Sequence, residues 1–222
     1  MSSQSLFPPE TLPLPADATM DQQLGPAAWV LRQFASEYDD RILDALRQIR
    51  SQSPFRHMVT PGGYTMSVAL TCCGDVGWTA DRQGYRYAAI DPETGEPWPD
   101  MPELFRTLAV SAASRCGFDN FNPDSCLINR YVPGSKLSLH QDKDESDFSA
   151  PIVSVSLGMP AIFQFGGLKR SDKTERVSLF HGDVVVWGGP DRLRYHGVLT
   201  MKDNPHPILG SNRINLTFRK TG

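Results

Sequence analysis

Three side chains in the second half of the chain have the types and spacing to hold a redox metal. His140 and Asp142 stand two apart at the end of a strand-like run, and His196 follows on another. Successive side chains of a strand alternate faces, so His140 and Asp142 project to one side and a single strand end offers two neighbouring ligands. Two imidazoles and one carboxylate leave one face of an octahedral ion open, as a non-haem Fe(II) oxygenase requires. Seventeen residues past His196 begins Arg213-Ile-Asn-Leu-Thr-Phe-Arg219. Arg213, Asn215, Thr217 and Arg219 share one parity; Ile214, Leu216 and Phe218 share the other. Burying the face with two guanidinium groups is costly unless an anion pairs with it, and the planar fork of arginine suits a carboxylate. A dicarboxylate sharing the metal would meet both needs. Asn129 and Tyr131 repeat the two-residue spacing and could hydrogen-bond the same anion.

Taken singly, these features have plainer readings. His-x-Asp is common, a lone histidine is more often a hydrogen-bonded surface residue, and the arginine strand could be a solvated edge. His181-Gly-Asp183 repeats the His-x-Asp form inside a tight glycine turn and reads as structural. Together, the sets are hard to assign to chance.

Positioning them requires strands brought together from distant parts of the chain. From residue 126 onward, short β runs separated by turn residues are expected at 126–131, 136–141, 152–157, 161–165, 176–180, 183–187, 194–198 and 214–219. Eight strands at this spacing argue for a sandwich or barrel. Upstream, two helices are expected. One starts with a capping-box-like Ser36-Glu-Tyr-Asp39 and runs to about Arg50, with Ile42, Leu43, Leu46 and Ile49 as its apolar stripe. The other begins near Pro102, buries Leu104, Phe105, Leu108 and Ala112, and stops at Gly117. Residues 55–100 mix strand signals at 64–70 and 85–88 with turns. Helices early and strands late give a mainly β fold with flanking helices, best matched by a double-stranded β-helix, or jelly roll.

The bulk composition agrees. With 222 residues the chain is most simply one domain (26–222) behind a Pro-rich arm (1–25) that holds Pro8-Pro9 and Leu12-Pro-Leu-Pro15. Within it, 26–125 supplies the helices and a recognition segment, and 126–222 the jelly-roll core. The 36 glycines and prolines exceed the usual share of about 12%, favouring many turns and therefore β structure. A net charge of −3 gives no global sign of a nucleic-acid binder, although a local basic groove remains compatible with it. The four cysteines lack zinc-like or C-x-x-C spacing and read as reduced thiols of a cytoplasmic protein. No apolar run is long enough to span a membrane, and no signal peptide is evident.

The motifs Asn129-Arg-Tyr131, Leu139-His-Gln-Asp-Lys-Asp144, Tyr195-His-Gly197 and Arg213-Ile-Asn-Leu-Thr-Phe-Arg219 resemble those of the AlkB family of alkylated-DNA repair dioxygenases. The likeness extends to Ser53-Pro-Phe-Arg56, Thr60-Pro-Gly-Gly-Tyr-Thr-Met-Ser67, Phe163-Gln-Phe-Gly-Gly-Leu-Lys-Arg170 and Gly182-Asp-Val-Val-Val-Trp-Gly188, covering roughly residues 27–219. The resemblance implies a jelly-roll dioxygenase that uses Fe(II), 2-oxoglutarate and O2 to demethylate 1-methyladenine and 3-methylcytosine. His140, Asp142 and His196 match its iron ligands. Asn129, Tyr131, Arg213, Asn215 and Arg219 match residues that hold 2-oxoglutarate. Trp78, Tyr85, Arg86, Tyr87, Asp144 and Arg170 fall where the family contacts the damaged nucleotide. The implied partner is single-stranded DNA, with double-stranded DNA and RNA as further substrates, acted on by a monomer away from membranes. Three rivals are weighed against this. An oxygenase of proteins or small molecules would share the metal and arginine sites only. A zinc hydrolase would not need both arginines. A non-catalytic nucleic-acid-binding module should be more basic.

Overall fold

The computed structural model describes residues 20–222. In chain order the elements are β1 (Gln22–Gly25), β2 (Ala28–Leu31), α1 (Asp39–Gln52), β3 (Ala69–Gly74), β4 (Gly77–Asp81), β5 (Gly84–Ala88), α2 (Glu103–Arg115) and β6 (Ser125–Tyr131). They continue with β7 (Leu137–His140), β8 (Ile152–Gly158), β9 (Ala161–Phe165), β10 (Glu175–Leu179), β11 (Val184–Trp187), β12 (His196–Val198) and β13 (Arg213–Arg219). A seven-stranded sheet in the order β1-β2-β11-β8-β13-β6-β3 faces a four-stranded sheet in the order β10-β9-β12-β7, and β4 and β5 form a separate hairpin. All the paired strands are antiparallel. This is the expected jelly roll.

Strand parity assigns each face of the large sheet. Val153, Val155, Val184, Val186, Ile214, Leu216 and Phe218 pack outward against Ile42, Leu46 and Ile49 of α1 and Phe105, Leu108 and Ala112 of α2. Residues of the opposite parity turn into the space between the sheets, where Ile152, Val185 and Trp187 meet Phe163, Phe165 and Val198. At the β8–β13–β6 end the inward face becomes polar, and its groups satisfy one another. Asn215 Nδ2 donates to Ser154 Oγ at 2.8 Å and to the Val155 carbonyl at 2.9 Å, while Thr217 Oγ1 donates to Asn215 Oδ1 at 3.0 Å. A polar patch inside the roll is thus sustained by hydrogen bonds, and one end of the interior is left for chemistry.

Four details differ from the sequence expectation. The arm was expected to reach residue 25, yet Gln22–Gly25 is a strand paired with β2; the rest of the arm, residues 1–19, lies outside the described residues. The anticipated cap at Ser36 is absent, because the chain enters α1 through a 3-10 turn at Ser36–Tyr38 with no side-chain cap. The strand expected at 64–70 lies instead at Ala69–Gly74, buried along its whole length. Leu70 and Cys72 pack on one side of it and Cys73 on the other, so no polar alternation betrays it. Strands β2 and β4 carried no expectation at all. Among the described residues, no helix is long and apolar enough to cross a membrane.

Candidate active site

A cavity of about 800 Å³ opens between the two sheets and beneath the β4–β5 hairpin. It lies within the size range of small-molecule and cofactor sites, roughly 300–1,000 Å³. His140, Asp142 and His196 share one wall of it. β12 pairs with β7 so that His196 lies directly opposite His140, and Asp142 follows at the end of β7. One ligand atom from each residue can be chosen such that all lie within 4.8 Å of one another, and among the described residues this is the one such group of three or more. The second His-x-Asp pair is elsewhere and structural: Asp183 accepts backbone N–H bonds from Gln33 and Phe180 and pairs with Arg32, while His181 pairs with Asp39 at 2.6 Å.

Hydrogen bonds set the imidazole tautomers. Nδ1 of His140 lies 2.9 Å from the Ser138 carbonyl, and Nδ1 of His196 lies 3.0 Å from the Arg194 carbonyl. A carbonyl can only accept, so both Nδ1 atoms carry protons and both Nε2 lone pairs are free. Those Nε2 atoms face Asp142, at 3.5 Å from Oδ1 and 3.8 Å from Oδ2. Burial, with His140 beside it, drives the His196 pKa down to about 4, so the ring is neutral and able to ligate at ordinary pH. Burial opposes ionisation of Asp142, but Arg219 and the two histidines outweigh it and hold the carboxyl well below the usual range. His196 and Asp142 are therefore charged as a divalent-metal site needs, whereas at His140 burial is outweighed by the hydrogen bond and charge of Asp142 and the pKa is raised, so a metal there must displace a proton.

Above the trio sits the polar face of β13. Arg213 is 1% exposed, with its guanidinium carbon 4.9 Å from the centre of the Tyr131 ring, and Nη2 donates to Ser156 Oγ at 3.0 Å. Among the described residues its Nε and Nη1 have no partner, although both are buried. Arg219 donates from Nε and Nη2 to Asp142 Oδ2, at 3.0 and 2.7 Å, and its Nη1 is likewise buried with no partner among the described residues. Unsatisfied buried guanidinium nitrogens are costly, and three of them on two arginines that line one cavity match an anion such as a dicarboxylate. Asn129 stands opposite Asn215 in the β6–β13 register, and Tyr131 opposite Arg213. Asn215 lines the cavity, but both of its donors are engaged within the sheet. The solvated-edge alternative for β13 fails, since the strand lies between β8 and β6 and every residue of it is buried.

The hairpin forms the outer wall. Trp78 and Tyr85 stack with centroids 5.4 Å apart and an interplanar angle of 15°, and Trp78 Nε1 donates to Asp144 Oδ2 at 2.8 Å. Tyr87, Asp144 and Arg170 also line the cavity. Arg86 is the exception among the expected nucleotide contacts: it does not line the main cavity and pairs with Asp81 at 2.6 Å on the surface. Two residues escaped the sequence reading. Glu145 accepts from Tyr87 Oη at 2.6 Å, and Arg192 donates to Glu145 Oε2 at 3.1 Å. The acidic run after Asp142 hinted at the first; nothing in the sequence marked the second.

Comparison with known proteins agrees with this geometry. Residues 27–219 match the family model of the 2OG-Fe(II) oxygenase superfamily. The alpha-ketoglutarate-dependent dioxygenase AlkB of Escherichia coli is 58% identical over 95% of this chain and 98% of its own length. The AlkB of Salmonella typhimurium is 58% identical over 92% of this chain and 94% of its own. Among solved structures, that of OsALKBH1 superposes with a TM-score of 0.76 at 31% identity, covering 90% of this chain and all of the other. The matched span takes in both sheets except β1, with the metal-capable trio and the arginine strand, and the chain belongs to the 2OG-Fe(II) oxygenase superfamily, as an Fe(II)- and 2-oxoglutarate-dependent dioxygenase similar to AlkB.

Proposed function

We propose that the enzyme oxidatively demethylates 1-methyladenine and 3-methylcytosine in single-stranded DNA, with double-stranded DNA and RNA as further substrates, and so directly reverses alkylation damage. The observation that carries the reading is the single cavity in which the metal-capable trio meets an aromatic and acidic wall, Trp78 stacked on Tyr85 and bonded to Asp144. Relatives of the chain include proteins named as a DNA N(6)-methyladenine demethylase of Arabidopsis thaliana and a nucleic acid dioxygenase of humans, which supports a nucleic-acid substrate.

In this reading His140, Asp142 and His196 hold the iron through Nε2, a carboxylate oxygen and Nε2. Arg213, with Tyr131 beside it, pairs with the distal carboxylate of 2-oxoglutarate; Arg219 and Asn129 secure the metal-proximal end, while Asn215 holds the polar face in register. Iron, 2-oxoglutarate and O2 supply the oxidising chemistry when bound, with succinate, CO2 and formaldehyde as products. The rest belongs to the chain. A methyl on the base-pairing edge is unreachable inside a duplex, so the base must leave the stack. Trp78 and the His140 ring, which both line the cavity, are the candidates to sandwich it, a stacking contact being worth about 1–3 kcal/mol per base. Asp144 favours a cationic methylated base over the neutral parent, and Tyr85, Tyr87 and Arg170 contact the nucleotide. The four cysteines are free, which fits a reducing cytoplasmic compartment, and a monomer suffices because one chain contributes every group invoked.

The test is aerobic incubation with Fe(II), 2-oxoglutarate, ascorbate and a single-stranded oligonucleotide carrying 1-methyladenine. Succinate and formaldehyde should form one for one as the lesion disappears. Sustained decarboxylation of 2-oxoglutarate over an intact lesion would sink the assignment.

A further inference from the structure

The segment that follows the ligand strand β7 carries Asp142, Asp144 and Glu145, yet it has no regular secondary structure before β8 begins at Ile152. With no backbone ladder across it, side chains must fix its shape. One side chain bonds it at three separate points. Arg192 lies in the turn after β11, is 2% exposed and does not line the cavity. Its Nη1 donates to the Asp142 carbonyl at 2.7 Å, its Nε to the Ala150 carbonyl at 3.1 Å and its Nη2 to Glu145 Oε2 at 3.1 Å. Its guanidinium carbon lies 5.4 Å from the centre of the Phe148 ring. A single planar fork thus grips the segment at its start, middle and end, which a lysine ammonium could not do.

Glu145 extends the grip. It is 6% exposed, and its other oxygen accepts from Tyr87 Oη at 2.6 Å and lies 3.4 Å from Arg219 Nε. Tyr87 belongs to the hairpin that carries the aromatic wall, and Arg219 contacts Asp142. The hairpin, the acidic segment and the metal-capable trio are therefore joined through two buried charges, Arg192 and Glu145.

We propose that Arg192 is a positioning residue for the reaction. It holds residues 142–150 as one piece, so that Asp142 and Asp144 keep a fixed offset, and through Glu145 and Tyr87 it locks the hairpin to that piece. Its role is to couple seating of the base to turnover of 2-oxoglutarate. The inference rests on the demethylase reading above.

The test compares full-length Arg192→Lys and Arg192→Met with the parent by three measurements. The first is thermal melting. The second is fluorescence anisotropy of the Mn(II)-loaded protein, with 2-oxoglutarate, on labelled single-stranded oligonucleotides with and without 1-methyladenine. The third is succinate formed per lesion repaired with Fe(II). Groups that orient a metal ligand from behind are worth about 10–100-fold when removed. Preference for the methylated over the unmethylated strand should accordingly fall about 10-fold or more, KM for the methylated strand should rise more than maximal decarboxylation falls, and succinate per repair should climb well above one. If Arg192→Met does not fold, Arg192→Lys carries the test, since it keeps a charge against Glu145 but cannot bridge both carbonyls. A lowered melting temperature with parental preference, KM and succinate-to-repair ratio would reduce Arg192 to a purely structural residue and overturn the proposal. A parent that decarboxylates 2-oxoglutarate without repairing the lesion would instead overturn the demethylase reading, and the proposal with it.

Discussion

At the scale of single residues, the most unusual group is Arg213. The residue is 1% exposed, and two of its nitrogens have no partner among the described residues. Burial lowers its pKa, while Tyr131 works the other way. An isolated buried charge costs stability, so this residue is retained against the interest of the empty fold, a trade seen where a site must receive an anion. Arg213→Met should therefore leave the apo-protein no less stable than the parent. At 100 times Kd, a ligand specific for the native state adds about 2.7 kcal/mol, and 2-oxoglutarate with Mn(II) should raise the melting temperature of the parent accordingly. The variant should show no such rise in the same melting experiment. A variant that melts much earlier yet still shows the full ligand-induced rise would place the anion elsewhere.

Among elements, the β7–β12 pairing decides whether a metal site exists, because it alone sets His140 against His196. Gly197 permits the approach. A Cβ there would sit 2.6 Å from the Leu137 carbonyl oxygen and 3.1 Å from the Ser138 carbonyl carbon, which are backbone atoms unable to swing aside. Gly197→Ala must push β12 away from β7 and spread the two imidazoles while leaving every ligand in the sequence. Displacements near 1 Å in such a site cost about 100-fold in rate, so Fe(II) affinity and activity should both fall steeply; anaerobic metal titration with parental affinity would show that the strands adjust. How far such elements could be read from sequence depended on their periodicity. The alternation in Arg213–Arg219 correctly separated a polar from an apolar face, and His140 and Asp142 were read as neighbours for the same reason. What alternation could not say was that both faces of β13 are buried, the apolar one under α1 and α2 and the polar one inside the roll. Ala69–Gly74 was misplaced because a strand buried on both faces has no polar beat. Arg192 was invisible, since its meaning lies in partners 42 to 50 positions away on a segment with no period of its own.

For the whole molecule, the balance of charge bears on how a nucleic acid is held. The chain is acidic overall, at −3, so a strand cannot be drawn in by a broad positive field as it is on basic binding domains. Of the cationic residues around the cavity, Arg213 and Arg219 are buried and committed inward, which leaves Lys136, Lys143 and Arg170 as the exposed cations of its rim. Each phosphate neutralised on a single strand contributes about −0.7 to the slope of log K against log salt, so three contacts predict a slope near −2. In the demethylase reading, affinity for a methylated strand then comes largely from the base slot, where stacking on Trp78 is far less sensitive to salt than a phosphate contact, whereas the charge of the exposed Asp144 is partly screened. Raising salt from about 50 to 200 mM should weaken binding of methylated and unmethylated single strands by nearly the same factor, roughly 10- to 20-fold at that slope. The preference for the methylated strand should fall by much less than the binding itself, because only its Asp144 share is screened. Anisotropy titrations across that range, with Mn(II) and 2-oxoglutarate present, measure both quantities at once. A slope of −5 or steeper, or a preference that collapses with salt, would mean that phosphate contacts outside the cavity dominate, and that the aromatic and acidic wall is not what selects the substrate.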